Sequence, residues 1–233
     1  MAIPCYNKAT EIEEVVRQSF NILSSVPDIT FKIVVIDDCS TDGSKEIVQN
    51  LLNRYSDLSI ILNKRNLGKG QSLNLCWIEN ESDFFGFVDG DLDISVDSLV
   101  LCIDLIKSNP NISAVVGSKL HKDSKVKYPK NRMILSRMVQ ALNKIFFNLP
   151  ISDTQVGLKV FRTSEFKNAL KQSKSKGFTW DIEMLSLKNR GEIIEVPVNL
   201  NFNFTSSIRI KTIISFVTEY LYLIYRIKKQ RKK

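Results

Sequence analysis

Short β-branched runs alternate with longer amphipathic stretches through the first half of the chain, and this periodicity restricts the fold more than any other feature. The runs are FKIVVID (31–37), LSIIL (58–62), FFGFV (84–88) and ISAVVG (112–117). Helical patterns fall at about 8–25, 44–55, 70–79 and 96–108, the last closed by Asn109 and Pro110. Apolar strands separated by helix-length segments require parallel crossovers, hence a layered α/β sheet covered on both faces. Ligands on such sheets bind beyond the carboxyl ends of the strands. The second half is less regular. It holds a basic loop (118–130), an amphipathic helix (132–147), a strand VGLKVF (156–161), a short helix and a lysine-rich loop (171–177). A helix DIEMLSLKN (181–189) and a strand EIIEVPVNL (192–200) follow. With no repeat or long linker, the economical division is one domain over 1–205 and a C-terminal amphipathic helix with a basic tail over 206–233.

The charge of +8 is concentrated rather than spread. KKQRKK closes the chain, and residues 119–144 hold eight Lys or Arg against Asp123 alone. A nucleic-acid arm would interleave its cations with stacking aromatics, and this tail has none. The preceding IISFVTEYLYLIYRI (213–227) is shorter than the roughly 20 apolar residues of a spanning helix and carries Glu219. It reads as an interfacial or core-packing helix with a cationic end, suited to peripheral contact with an anionic membrane on its cytoplasmic face. The four cysteines are far apart and His121 is the lone histidine, which argues against a zinc site and a disulfide framework.

Acidic and glycine-bearing loops converge at the carboxyl ends of the runs: PCYN (4–7), Asp37-Asp38 before CSTDGS, NKRNLGKG (63–70), and Asp89-Gly90-Asp91-Leu92-Asp93. Asp42, Ser44 and Ser95 are explained as helix caps and turn residues. Three carboxylates spaced two apart exceed what one cap uses, and they repel one another unless a cation neutralises them. Hard oxygen donors without His or Cys select Mg²⁺ or Mn²⁺. An EF-hand loop would need Gly and Glu where Ile94 and Val100 stand. The glycines match neither a P-loop nor a dinucleotide fingerprint. Gly90 lets backbone approach closely, which suits a metal completed by substrate phosphates. Asp38, unsuited to touching phosphate, is placed to accept from a base N–H or a ribose hydroxyl. Asp93 either ligates the metal or starts the next helix.

Together, PCYN, VVIDDCSTDGS (34–44), NLGKGQSLN (66–74), VDGDLD (88–93) and GSK (117–119) resemble the family 2 glycosyltransferases of the GT-A fold, a three-layer α/β/α architecture. DTQVGLKVF (153–161) and FTWDIEML (178–185) resemble the branch with dolichyl-phosphate glucosyltransferase and dolichyl-phosphate mannose synthase. The resemblance spans roughly residues 1–205. It implies a nucleotide-sugar donor, a UDP-hexose or GDP-hexose, held around Pro4, Tyr6, Asn7, Asp38, Gly68, Lys69 and Gly90, with Asp89 and Asp91 as the acidic metal motif. Lys8 departs from the Glu usual after such a PxYN segment, and the first strand is short.

The resemblance further implies inverting transfer, in which an acceptor oxygen attacks the anomeric carbon while metal and cations stabilise the leaving diphosphate. A saccharide hydroxyl acceptor would need a general base, for which Asp181 is the candidate. A polyprenyl or dolichyl phosphate is already ionised and needs cations instead. Lys119, Arg132, Arg137 and Arg209 are available, and Arg132 and Ser136 share one face of the 132–147 helix at i, i+4. Met133, Leu135, Met138, Leu142 and Phe146 give that helix an apolar surface. A nucleotide-sugar sensor without turnover is the rival from outside enzymology.

Overall fold

A computed structural model describes residues 1–79, 81–126, 130–188, 190–200 and 210–230. Its elements in chain order are β1 (Ala2–Cys5), α1 (Ile12–Ser25), β2 (Ile33–Asp37), α2 (Ser44–Leu51), β3 (Leu58–Leu62), α3 (Lys69–Ile78), β4 (Phe84–Val88) and α4 (Ser98–Ser108). They continue as β5 (Ile112–Ser118), α5 (Lys130–Phe147), β6 (Leu158–Arg162), α6 (Thr163–Gln172), α7 (Trp180–Ser186), β7 (Glu192–Pro197) and α8 (Ile210–Gln230).

The strands form a seven-stranded sheet in the order β3-β2-β1-β4-β6-β5-β7. β1 pairs in parallel with β2 and β4, β2 with β3, and β5 with β7, whereas β6 runs antiparallel to both neighbours. The order therefore reverses between β1 and β4, the kind of switch point where crossovers leave in opposite directions and open a crevice. Alternation along β2 shows why the sheet is buried on both faces. Ile33 and Val35 join a core with α1, α2 and α4, while Val34 and Ile36 join one with α3, α6, α7 and α8. These are the three expected layers.

Where boundaries differ from the sequence pattern, local chemistry explains it. The first helix begins at Ile12 rather than near residue 8, because Asn7 adopts φ 54° and Lys8 C=O accepts from Glu11 and Ile12 in a separate turn. β7 stops at Pro197, which lacks the N–H to continue a ladder, although the apolar pattern runs on to Leu200.

The second core is aromatic and binds the two halves of the chain together. Trp77, Phe85, Phe161 and Trp180 stack or meet edge-on at centroid distances of 4.1–6.4 Å. Gly70 makes the close approach of α3 to α7 possible, since a Cβ there would overlap the Trp180 Cβ and lie 2.8 Å from Gly177 C=O. Gly70→Ala is expected to lower the unfolding free energy by about 1–3 kcal/mol through overpacking, measured by urea denaturation with an unchanged m-value.

Candidate active site

Since β1 to β4 run in one direction, their carboxyl ends share one edge, and the loops there are stitched to one another. Asn7 Oδ1 accepts from Thr41 N–H at 2.8 Å, and Asn7 N–H donates to Ser40 Oγ at 3.0 Å. Lys8 N–H donates to Ser44 Oγ at 2.8 Å and Ala9 N–H to Asp42 Oδ2 at 2.9 Å. The buried Asp38 organises the neighbouring glycine loop: its Oδ1 accepts from Asn63 Nδ2, Leu67 N–H and Ser72 Oγ, and its Oδ2 from Gly68 N–H at 2.8 Å. Gly68, at φ 86°, then packs so tightly that an added Cβ would sit 2.6 Å from Lys176 C=O.

These loops enclose a cavity of about 190 Å³ lined by Pro4, Cys5, Tyr6, Lys8, Asp38, Lys69, Ser72, Asp89, Gly90, Asp91 and Phe178. Seven expected residues thus meet in one place: Pro4, Tyr6, Asp38, Lys69, Asp89, Gly90 and Asp91. Asn7 and Gly68 do not line the cavity; they hold its loops in position. Gly90 is required by geometry, since a Cβ there would stand 2.9 Å from Pro4 C=O.

Electrostatics dominate the floor. Lys69 Nζ lies 2.5 Å from Asp89 Oδ1, and Lys8 Nζ 3.9 Å from Asp91 Oδ2. Burial, then Asp89 and Asp93, push the Asp91 carboxyl up to about 6, with Lys8 opposing. Burial alone would pull the Lys69 ammonium down, but Asp89 and Asp181 outweigh it and hold its pKa above the ordinary lysine value. Directly beneath, the wholly buried Lys159 sits with Nζ 2.9 Å from Asp181 Oδ1 and donates to Val156 C=O at 2.5 Å. Burial lowers the Lys159 pKa, Asp181 only partly offsetting it.

Two residues that the sequence reading passed over shape this floor. Gly157 carries no side chain where a Cβ would overlap the Asp89 carboxylate, and its C=O accepts from Asp89 N–H at 2.8 Å. It arrives there because β6 runs antiparallel, pairing Leu158 with Val88. Lys159 pairs across the same ladder with Phe87. A lysine flanked by apolar residues in VGLKVF was the available signal for it.

Other expectations resolve differently. Asp181 is buried, ion-paired with Lys159 and absent from the cavity wall. Among the described residues no three His, Cys, Asp or Glu side chains converge to hold a metal. Asp93 donates its backbone N–H to Asp91 Oδ1 at 3.2 Å and, unlike Asp89 and Asp91, does not line this cavity. Asp42 accepts from Ser44 N–H at the start of α2, and Ser95 accepts from Asp97 N–H just before α4, as expected of turn residues. Lys119 Nζ lies 3.7 Å from Asp153 Oδ2. Lys119 and Ser136 line a second, apolar cavity of about 590 Å³ between α5 and α8, with Met138, Leu142, Phe146, Phe216, Tyr220 and Leu221. Phe178 lines both cavities. The Arg132 side chain and Arg209 lie outside the described residues. No helix among the described residues is long and apolar enough to cross a membrane.

The model of the family described as Glycosyl transferase family 2 matches residues 1–170. Glycosyltransferase AglD of Haloferax volcanii is 26% identical over 202 residues, which are 85% of this chain and 32% of that protein. Dolichyl-phosphate beta-glucosyltransferase ALG5A of Trichomonas vaginalis is 25% identical over 228 residues, 94% of this chain and 70% of its own. The chain thus spans about a third of one relative and just over two thirds of the other. Among solved structures, glucosyl-3-phosphoglycerate synthase from Mycobacterium tuberculosis, in complex with Mn²⁺ and UDP-glucose, superposes with a TM-score of 0.67. That match covers 97% of this chain and 77% of the other at 14% identity, which carries the fold.

Removing one member of the buried pair leaves an uncompensated charge. Lys159→Met is expected to cost about 3–5 kcal/mol, and Lys159→Met with Asp181→Leu to recover most of it, read by chemical denaturation. Gly157→Ala is expected to cost about 1–3 kcal/mol of stability, because the added Cβ would meet the Asp89 Cβ as well as its carboxylate, and to displace that carboxylate, seen in a crystal structure of the variant.

Proposed function

The chain belongs to glycosyl transferase family 2, and from that premise we propose that it moves a hexose from a UDP- or GDP-sugar to a polyprenyl or dolichyl phosphate, with inversion. The observation that carries this reading is that Phe178 lines two cavities: one small and bounded by the charged Lys8, Asp38, Lys69, Asp89 and Asp91, the other apolar and about three times larger. A donor and an acceptor with a long hydrocarbon tail need that pairing, with the acceptor phosphate at the junction. Likeness to a dolichyl-phosphate glucosyltransferase supports the same acceptor class.

Asp89 and Asp91 fit a divalent cation: two hard carboxylates two residues apart, one paired with Lys69 and the other with its pKa raised by burial and by Asp89 and Asp93 despite Lys8 at 3.9 Å. Such a cation, Mg²⁺ or Mn²⁺, would neutralise the leaving diphosphate. The remaining work falls to the chain. Pro4 and Tyr6 present a flat wall for the base, and Asp38 Oδ2 keeps acceptor capacity beside Gly68 N–H for a base or ribose donor. Lys119 stands at the mouth of the apolar cavity, where an acceptor phosphate needs a cation. Arg132, Ser136 and Arg209 join it in this proposal as phosphate contacts. A phosphate nucleophile is already ionised, so Asp181 need not act as a base. Its burial against Lys159 supports that assignment. Exposed Ile134, Met138, Ile145, Val217, Leu221 and Tyr225 on α5 and α8 support a peripheral seat on an anionic leaflet, with the tail cations at the headgroups.

The deciding assay sets UDP-glucose and GDP-mannose against polyprenyl phosphate, with and without EDTA. Transfer is expected only with Mg²⁺ or Mn²⁺, and Asp91→Ala is expected to remove turnover while the protein stays folded. Asp181→Asn leaves Lys159 unpaired and is destabilising, so kcat is read per folded molecule and is expected to fall less than tenfold; a loss of about 10²–10⁴, the size of a general-base contribution, would move the acceptor to a saccharide hydroxyl. The raised Asp91 pKa sets a further expectation. Its protonated form is favoured by the fold, so the associated stability is present below the unfolded carboxylate value of about 3.9 and lost as pH rises through about 6. Mn²⁺ added to the protein saturated with UDP or GDP should therefore raise the melting temperature at pH 7.5 and do little at pH 5.

A further inference from the structure

Lys69 occupies the place where the pocket calls for a cation, and it belongs to the chain. Its Nζ lies 2.5 Å from Asp89 Oδ1 on a side chain only 16% exposed, and 4.5 Å from the centroid of the Phe87 ring. The Lys159 Nζ lies 5.1 Å from the same ring and 2.9 Å from Asp181 Oδ1. Two ammonium groups thus lie by one aromatic ring, each paired with one carboxylate. Resting on the reading that this pocket takes a divalent metal and a nucleoside diphosphate, we propose that Lys69 is a displaceable internal cation. It neutralises Asp89 in the empty pocket and transfers its ammonium to the donor diphosphate when Asp89 is given over to the metal.

Three observations carry this. First, an ammonium already in contact with Asp89 Oδ1 competes directly with a divalent ion for that oxygen, and the two cations repel at such range. Second, among the described residues the other carboxylates acting on Lys69 are Asp181 and Asp91: Asp181 is already countered by Lys159, and Asp91 would be taken by the same metal. An incoming diphosphate supplies the missing anion on the open side of the cavity that Lys69 lines. Third, the backbone beneath Lys69 is pinned, so the transfer is a side-chain rotation. Gly68 N–H donates to Asp38 Oδ2 at 2.8 Å, Gln71 N–H to Lys176 C=O at 3.1 Å, and Ser72 N–H to Gly68 C=O at 3.0 Å.

The consequence is thermodynamic coupling. Metal alone must evict Lys69 into a cavity with no anion and so binds weakly, whereas metal and diphosphate together satisfy every charge. Each ligand then raises the affinity for the other by the same factor. Lys8, 3.9 Å from Asp91 and about a third exposed, is solvated enough to leave without a replacement anion and serves as the comparison.

The test is titration of the full chain with Mn²⁺, followed by electron paramagnetic resonance of the free ion, without nucleotide and with saturating UDP or GDP in parallel arms. Lys69→Met is expected to bind Mn²⁺ alone about tenfold or more tightly than wild type and to lose about tenfold or more of the coupling to nucleotide. Lys69→Arg is expected to restore both, and Lys8→Met to change Mn²⁺ affinity by less than about threefold. Lys69→Gln repeats the measurement if the Met variant melts early. Unchanged Mn²⁺ affinity in Lys69→Met, or tighter binding with coupling intact, overturns the displaceable cation and leaves the metal reading standing. Failure of wild type to bind Mn²⁺ with either nucleotide overturns both.

Discussion

Carboxylates collected at one sheet edge repel one another, and burial raises the cost of keeping them ionised. Asp89 and Asp91 meet this constraint at the end of β4, and the buried Asp181 lies beneath them. Lysines from three parts of the chain enter in response: Lys8 after β1, Lys69 at the head of α3 and Lys159 within β6. The deepest of these, Lys159, would be intolerable in an aromatic core without Asp181 at 2.9 Å. The arrangement of the second half of the molecule follows from delivering β6 antiparallel beside β4, so that Gly157 makes room for Asp89 and Lys159 reaches Asp181.

A chain of contacts joins this floor to the C-terminal helix. The glycine loop rests on residues 176–180 through Gly68, Gly70 and Gln71. That segment is in turn held by Glu183, which is fully buried and accepts from Ser173 Oγ, Lys174 N–H, Ser175 N–H and the Arg226 guanidinium of α8. Glu219 of α8 accepts from Thr179 Oγ1 at 3.0 Å. Residues that make α8 too polar to span a bilayer therefore dock it onto the segment against which the loop carrying Lys69 rests. Its apolar residues divide the same way: Leu223 and Ile227 enter the core while Leu221 and Tyr225 face outward.

Legibility followed the range of the interaction concerned. β3 and β4 coincide with LSIIL and FFGFV, because strand content depends on side chains two residues apart. The convergence of Pro4, Tyr6, Asp38, Lys69, Asp89 and Asp91 was readable because parallel strands put all their carboxyl ends on one edge. Asn7 and Asp181 were assigned by motif to ligand and catalytic roles, but their hydrogen bonds and ion pair go to Ser40, Thr41 and Lys159, distant in sequence.

From the sequence alone came the layered α/β class, the edge that holds the site, the acidic pair at the end of β4 and the amphipathic character of the last helix, since each depends on local periodicity and strand direction. Tertiary structure alone decided which cation answers which carboxylate, that Gly157 stands against Asp89, and that Phe178 lines both the charged and the apolar cavity. Those outcomes depend on the strand order and on the reversed β6, which bring together residues as far apart in sequence as Pro4 and Phe178, and no local pattern encodes such distances.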